Sequence, residues 1–126
     1  MIKIVFALRR IPGMSREEFQ RYWLEEHGPM VRAHAEALGL RRYVQSHTFP
    51  DAMHGDLRAS RDAPEPFDGL AELWFDSLES LAAAMSSREG RAAGAALLED
   101  ERRFIDHARS PVMLAEEHEV VGLKGD

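Results

Sequence analysis

The chain has 126 residues, the length of one globular domain, and we expect a single domain over 1–126. It contains no cysteine, which removes disulfides, thiolate metal sites and thiol nucleophiles and favours a cytoplasmic location. Its net charge of −6 argues against nucleic acid as a partner. No apolar run approaches the ~20 residues of a membrane helix, so we expect no membrane partner.

The first half of the chain predicts a strand, a helix and a second strand. Residues 2–8 alternate between apolar and other side chains, which is typical of a half-buried strand. A capping box at 15–18 opens a helix, which we expect Gly28-Pro29 to interrupt before a second helical piece begins. Residues 40–49 are rich in aromatic and β-branched side chains and predict the second strand.

The second half repeats this pattern after a long connection. Residues 50–68 predict a loop, and a loop of that length is typical of a lid or binding segment, with a solvated insertion as the alternative. Residues 69–76 predict a third strand, followed by a helical region to about residue 107 with a break near 86–87. Residues 111–123 predict a fourth strand.

The order βαββαβ is that of an α+β, ferredoxin-like fold with a four-stranded antiparallel sheet. Helices then cover one face of the sheet and leave the other face bare. We expect aromatic side chains such as Tyr43 or Trp74 on the bare face, depending on the strand register. A second copy of the chain is the most economical cover, so we predict a homodimer through the sheet faces.

Several motifs give the chain a family resemblance. They are Arg9-Arg10-Ile-Pro-Gly-Met-Ser15-Arg-Glu-Glu-Phe19, Tyr22-Trp23-x-x-x-His27-Gly-Pro29, Arg42-Tyr43-Val44, Gly69-x-Ala-Glu72-Leu-Trp74-Phe, Asp100-Glu101-x-x-Phe104-Ile105-Asp106 and Glu117-His118-Glu-Val-Val. With them the chain resembles the EthD-like family of the dimeric α/β-barrel superfamily. The resemblance implies a dimeric α/β barrel. It also implies relatives among lactone isomerases, polyketide cyclases and dehydratases, cofactor-free monooxygenases and haem-handling proteins.

His27 is the leading candidate for a catalytic residue. It follows Trp23 and Phe19 at steps of four, so it lies on the buried stripe at the end of the first helix. Burial disfavours the charged imidazole, and a neutral ring can act as a base near pH 7. The alternative is a core histidine that bonds the backbone, but the resemblance places a functional histidine in this motif. We expect His27→Ala to abolish turnover and leave the fold intact.

Tyr43 and His47 are predicted as the partners of that histidine. They lie four residues apart in a strand, with Gln45 between them, so all three project from one face. Such a polar row suits the lining of a pocket, where it would polarise or orient a carbonyl or lactone. The resemblance implies a tyrosine and a histidine from the sheet in the related lactone isomerases. The alternative is an exposed strand face that dimerisation covers.

The remaining candidates are predicted to bind the substrate, and they are Trp23, Trp74, Glu72 and Arg9. Glu72 and Trp74 share one strand face, which suggests a second acid/base group or an orienting partner for a histidine. The favoured alternative is that Glu72 forms an ion pair with Arg9, Arg41 or Arg42.

No sequence motif indicates a metal, nucleotide or other cofactor. His-x-His, His-Glu-x-x-His, phosphate-binding glycine loops and the Gly-x-Ser-x-Gly elbow are all missing from the sequence. From the resemblance and the candidate His27 we predict a cofactor-independent enzyme that isomerises, cyclises or dehydrates a small organic substrate in catabolism. The alternatives are a non-catalytic carrier of a hydrophobic metabolite and a haem-binding barrel.

Overall fold

The computed structural model describes residues 1–50 and 52–123; residue 51 and residues 124–126 of the predicted domain lie outside this part. The strands are β1 (Ile2–Leu8), β2 (Arg42–His47), β3 (Gly69–Phe75) and β4 (Val112–Glu116). The helices are α1 (Arg16–Tyr22), α2 (Gly28–Leu38), α3 (Met53–Arg61), α4 (Leu78–Ser86) and α5 (Arg88–Glu101). A π-helical turn (Trp23–His27) joins α1 to α2, and a 3-10 turn (His107–Arg109) precedes β4.

The strands form one antiparallel sheet in the order β2-β3-β1-β4, which confirms the α+β, ferredoxin-like prediction. Residues that pair across neighbouring strands share a face, and Tyr43, Leu73 and Ile4 are in register. Their face packs on the helices. The core between the two layers contains Leu8, Phe19, Trp23, Ala71, Phe104 and Ile105.

The predicted second helical piece is confirmed, since α2 begins at Gly28 with Pro29 in its first turn, but the predicted break is wrong, because the chain stays helical through these residues. Gly28 has φ −53° and ψ −49°, and its N–H bonds the carbonyl of Trp23, five residues earlier. One wide turn is inserted before Pro29, which has no N–H to place in the helix. The predicted capping box is confirmed, with Ser15 and Glu18 each bonding the backbone N–H of the other.

Two further predictions of element bounds need correction. The segment 50–68 is not all loop, since α3 occupies Met53–Arg61. The fourth strand ends at Glu116 rather than at residue 123. Glu116 pairs with Ile2, the first residue of β1, so the residues that follow Glu116 have no strand residue left to pair with. The break near 86–87 is confirmed, with Ser87 between α4 and α5.

The face of the sheet that the helices leave open carries Trp74, not Tyr43. Trp74 is in register with Lys3 and Arg42, and both cations lie over its ring, at 5.1 Å and 4.6 Å from the centroid. The indole N–H donates to the carboxylate of Glu117. Trp74 is therefore 6% exposed although no helix covers it. Among the described residues, no helix is long and apolar enough to cross a membrane.

Candidate functional site

A cleft of about 800 Å³ lies between α2 and β2, on the helix-covered side of the sheet. It is lined by Leu24, Glu25, Gly28, Pro29, Val31, Arg32, Ala35, Leu40, Arg41, Arg42, Tyr43, Gln45 and His47. Its volume falls in the range of small-molecule sites, and its lining combines apolar side chains with a few polar groups, as such sites do. The alternating residues of β2 bring the predicted Tyr43 and His47 to the same wall, with Gln45 between them.

Trp23 lies beneath this wall and fixes it. Its indole N–H donates to the hydroxyl oxygen of Tyr43 at 3.1 Å. Its backbone carbonyl accepts a hydrogen bond from Nε2 of Gln45 at 2.9 Å. That carbonyl also accepts from the N–H of Gly28, the residue that follows the π-helical turn. The wide turn of helix therefore contributes directly to holding the side chain of Gln45.

The network determines which atoms of Gln45 face its neighbours. Because the Trp23 carbonyl only accepts, the Gln45 atom bonded to it is the amide nitrogen, and Oε1 is left as the acceptor. Oε1 lies 2.8 Å from Nε2 of His47. In the neutral imidazole Nε2 is therefore the protonated nitrogen, and Nδ1 carries the lone pair.

His47 is thereby arranged as a base. Its ring stacks on the indole of Trp23, with 4.6 Å between the centroids. Burial lowers its pKa, which keeps the ring neutral at pH 7. Nδ1 has no hydrogen-bond partner among the described residues. In that part of the chain every buried side-chain nitrogen or oxygen has a partner. Because Nδ1 has none, it is not buried but open to solvent.

Tyr43 is arranged as a hydrogen-bond donor. Its hydroxyl oxygen accepts from Trp23 and, at 3.0 Å, from Nε2 of Gln45. Two donors occupy the oxygen, so its own proton is left for another acceptor. Burial is the main cause that raises the pKa of Tyr43, so the phenol keeps this proton at neutral pH.

His27 lies outside the lining of this cleft. It is 4% exposed and its Nδ1 is 2.8 Å from a carboxylate oxygen of Asp100 in α5. The other oxygen of that carboxylate accepts the hydroxyl proton of Tyr22 at 2.6 Å, and the ring of Phe104 packs against the imidazole. His27 thus belongs to a buried network that joins the end of α1 and the π-helical turn to α5. The structure does not bring His27 together with Tyr43 and His47.

Of the four predicted substrate-binding residues, only Trp23 contacts the cleft wall. Trp74 and Glu72 lie on the open face of the sheet, and the predicted pairing of Glu72 with an arginine is wrong. Glu72 pairs with Lys3 on the neighbouring strand. Arg9 stacks its guanidinium 4.3 Å from the ring centroid of Phe67, also away from the cleft.

The sequence signals missed Asp100 and underrated Gln45. Asp100 is an acidic residue at a buried position of α5, but its partner lies 73 residues away, so spacing alone does not identify the pair. The described residues contain no group of three or more histidine, aspartate or glutamate side chains placed to hold a metal ion. What the wall presents is one hydrogen-bond donor, Tyr43, and one base, His47.

This fold and cleft define an α+β, ferredoxin-like protein with a small-molecule-sized site between helix and sheet. The EthD domain matches residues 11–108, and the chain therefore belongs to the EthD family. The comparison with curated proteins gives no match.

Solved structures share the fold at low sequence identity. An EthD family protein from Bacillus halodurans C-125 has a TM-score of 0.60 and 24% identity, covering 94% of this chain and 100% of its own. A dimeric ferredoxin-like protein of unknown function from Thermobifida fusca YX has a TM-score of 0.56 and 14% identity, covering 91% and 90%. SnoaB, a cofactor-independent oxygenase from Streptomyces nogalater, has a TM-score of 0.54 and 12% identity, covering 95% of each chain.

Proposed function

We propose that the protein binds a small organic molecule in the cleft between α2 and β2 and catalyses a proton transfer on it without a cofactor. One observation carries this proposal. The Trp23–Gln45 network leaves the O–H of Tyr43 as a donor and Nδ1 of His47 as an acceptor on the same wall. A donor beside a neutral base is the arrangement that abstraction of a proton next to a carbonyl requires.

The chemistry follows from these two groups. Nδ1 of His47 takes a proton from the carbon next to a substrate carbonyl, and the electron pair of the C–H bond moves onto the carbonyl oxygen. The O–H of Tyr43 donates a hydrogen bond to that oxygen and stabilises the enolate. Return of the proton from His47 to a different carbon completes an isomerisation. In a dehydration, the enolate instead expels a hydroxyl from the next carbon along, and the proton held by His47 goes to that oxygen, so that water leaves and the base is restored.

We assign the proton transfer to His47 in place of the predicted His27. Nδ1 of His27 is engaged by Asp100, the residue is 4% exposed, and it is not among the residues that line the cleft. The same pairing would also orient a base by leaving the lone pair on Nε2, so the assignment to His47 rests on its place beside Tyr43 in the cleft lining. The catalytic role of His27 remains a prediction, and the experiment below includes it.

We also propose that two copies associate through the open faces of their sheets. That face carries the Lys3–Glu72 pair and the ring of Trp74. A second sheet laid over it would complete the dimeric α/β barrel that the family resemblance implies. The neighbour from Thermobifida fusca is described as dimeric, which supports the assembly. Sedimentation of the purified chain tests it, and a monomer at micromolar concentration would contradict it.

Deuterium exchange tests the proton transfer without knowledge of the natural substrate. The protein is incubated in D2O with a series of small ketones, lactones and oxo acids, and proton NMR follows loss of the hydrogen next to the carbonyl. We expect exchange above the buffer rate for members that fit the cleft. His47→Ala should lower the enzyme-dependent rate by about 10²–10⁴-fold and Tyr43→Phe by about 10²–10³-fold.

The matched control is His118→Ala, which removes an exposed histidine that contacts Glu116 and lies outside the cleft lining. It should leave exchange unchanged. Full exchange in His47→Ala would contradict the assignment. If a folded His27→Ala variant lost exchange while His47→Ala kept it, the base would be His27 and not His47. Ligand binding with no exchange in any member of the series would support the carrier alternative over catalysis.

A further inference from the structure

The charge of the cleft is opposite to that of the whole chain. Arg32 and Arg41 line it against one acidic residue, Glu25, a net charge of +1, because the guanidinium of the third lining arginine, Arg42, lies over Trp74 on the open face. The chain as a whole carries −6. A cleft lined by one sign of charge raises the local concentration of ligands with the opposite sign, and low-dielectric walls strengthen the effect.

The three arginines differ in what already engages them. Arg41 lies 3.7 Å from a carboxylate oxygen of Asp76, and both side chains are exposed. The guanidinium of Arg42 stacks on the ring of Trp74. No side chain among the described residues pairs with the guanidinium of Arg32, although the same helix carries one acidic residue, Glu36, four residues further on. Arg32 is the cation that the cleft leaves for a ligand.

The rest of the lining restricts the body of that ligand. Apolar side chains of α2 and the preceding turn face the same space, among them Leu24, Val31 and Ala35. The uncharged polar groups are Tyr43, Gln45 and His47, all on the β2 wall. The cleft therefore combines one free cation, an apolar surface and a donor beside a base.

We propose that the natural ligand is a small organic anion, with a carboxylate bound by Arg32 and an apolar body that places its carbonyl at Tyr43 and His47. This inference rests on the proposed function, because it names the substrate class of the same cleft. It adds a specificity-determining residue, Arg32, which takes no part in the proton transfer. A guanidinium suits this role, since its N–H groups match both oxygens of a carboxylate.

A pair of fluorescent dyes with nearly the same rings and different charge tests the inference. The anion is 8-anilinonaphthalene-1-sulfonate, and its uncharged counterpart is N-phenyl-1-naphthylamine. Both are titrated into the wild-type protein, into Arg32→Glu and into the matched control Arg91→Glu. Arg91 is an exposed arginine of α5 outside the cleft lining, so the two variants change net charge equally.

We expect the anionic dye to bind the wild type more tightly than the uncharged dye, and added salt to weaken only the anion. Arg32→Glu should weaken the anionic dye by about tenfold and leave the uncharged dye within about twofold, while Arg91→Glu changes neither. Equal loss in both variants, or none, would overturn the anion inference and leave small-molecule binding intact. Failure of both dyes to bind the wild type would overturn the cleft as a ligand site, and the anion inference with it.

Discussion

Gly69 is the position where a single methyl group most directly tests the packing beneath the cleft. It is the first residue of β3 and is in register with His47. A Cβ atom there would overlap Cζ3 of Trp23, and would lie 2.8 Å from Cη2 of that ring and 2.9 Å from the carbonyl oxygen of Ser46. Trp23 is 1% exposed and its indole N–H is held by Tyr43, so the ring has little room to move.

We therefore expect Gly69→Ala to destabilise the protein. Overpacking of this kind costs about 1–3 kcal/mol. For a domain of this size that cost lowers Tm by about 4 °C per kcal/mol. The matched control is Gly94→Ala in α5, where the added Cβ meets nothing within 4 Å beyond the neighbouring backbone of its own helix. Alanine is favoured over glycine inside a helix, so Gly94→Ala should stabilise the protein by about 0.5–1 kcal/mol.

Urea denaturation followed by tryptophan fluorescence measures both variants. The same chemical change should give opposite signs at the two positions, with the slope m unchanged. A Gly69→Ala protein as stable as the wild type would show that the Trp23 ring does not lie against β3. The stacking of Trp23 on His47, and with it the arrangement of the cleft wall, would then be refuted.

Three further predictions concern charge. Burial alone would raise the pKa of Asp68, but hydrogen bonds from two arginines outweigh it and hold the pKa below its ordinary value of 3.8. The ionised Asp68 carboxylate therefore stabilises the folded protein above pH 3.8, and this stabilisation is lost as pH falls through the folded-state pKa. Urea denaturation should find Asp68→Asn less stable than the wild type at pH 7 and equal to it near pH 2. His27→Ala should cost about 2–3 kcal/mol in the same assay, because it removes a partner of the buried Asp100 carboxylate, and a stability equal to wild type would contradict the network. The rate of deuterium exchange should rise with pH through a pKa below the ordinary 6.5 of histidine, because His47 must lose its proton to act as the base. The rate should fall only above pH 10, where Tyr43 ionises. A rise centred above pH 6.5 would contradict the assignment of His47 as the base.

The strand and helix order was predictable from local patterns. The alternation in β1, the capping box at Ser15 and the break at Ser87 all act within a few residues, so the sequence displays them directly. The π-helical turn was not predictable, because the tendency of Pro29 to end a helix is a local preference that tertiary packing overrides. The early end of β4 depends on where its partner β1 begins, which is a property of the register.

The candidate site divides in the same way. The even spacing of Tyr43 and His47 was enough to place them on one face, since strand geometry fixes it. The position of His27 was predicted only as far as its burial. The orientation of its imidazole ring depends on the hydrogen bond to Asp100, which lies on α5, 73 residues further along the chain. The tautomer of His47 depends on Gln45 and Trp23 together, and a hydrogen-bond network of three segments leaves no pattern in a single sequence.

The central claim is that Gln45 holds Nε2–H of His47 and leaves Nδ1 as the base. Long-range ¹H–¹⁵N correlation NMR of the histidine rings at pH 7, with His47→Asn to assign the signals, measures this directly. We predict a neutral ring protonated on Nε2, with Gln45→Ala removing the preference for that tautomer. A ring protonated on Nδ1, or a charged imidazolium at pH 7, would contradict the account.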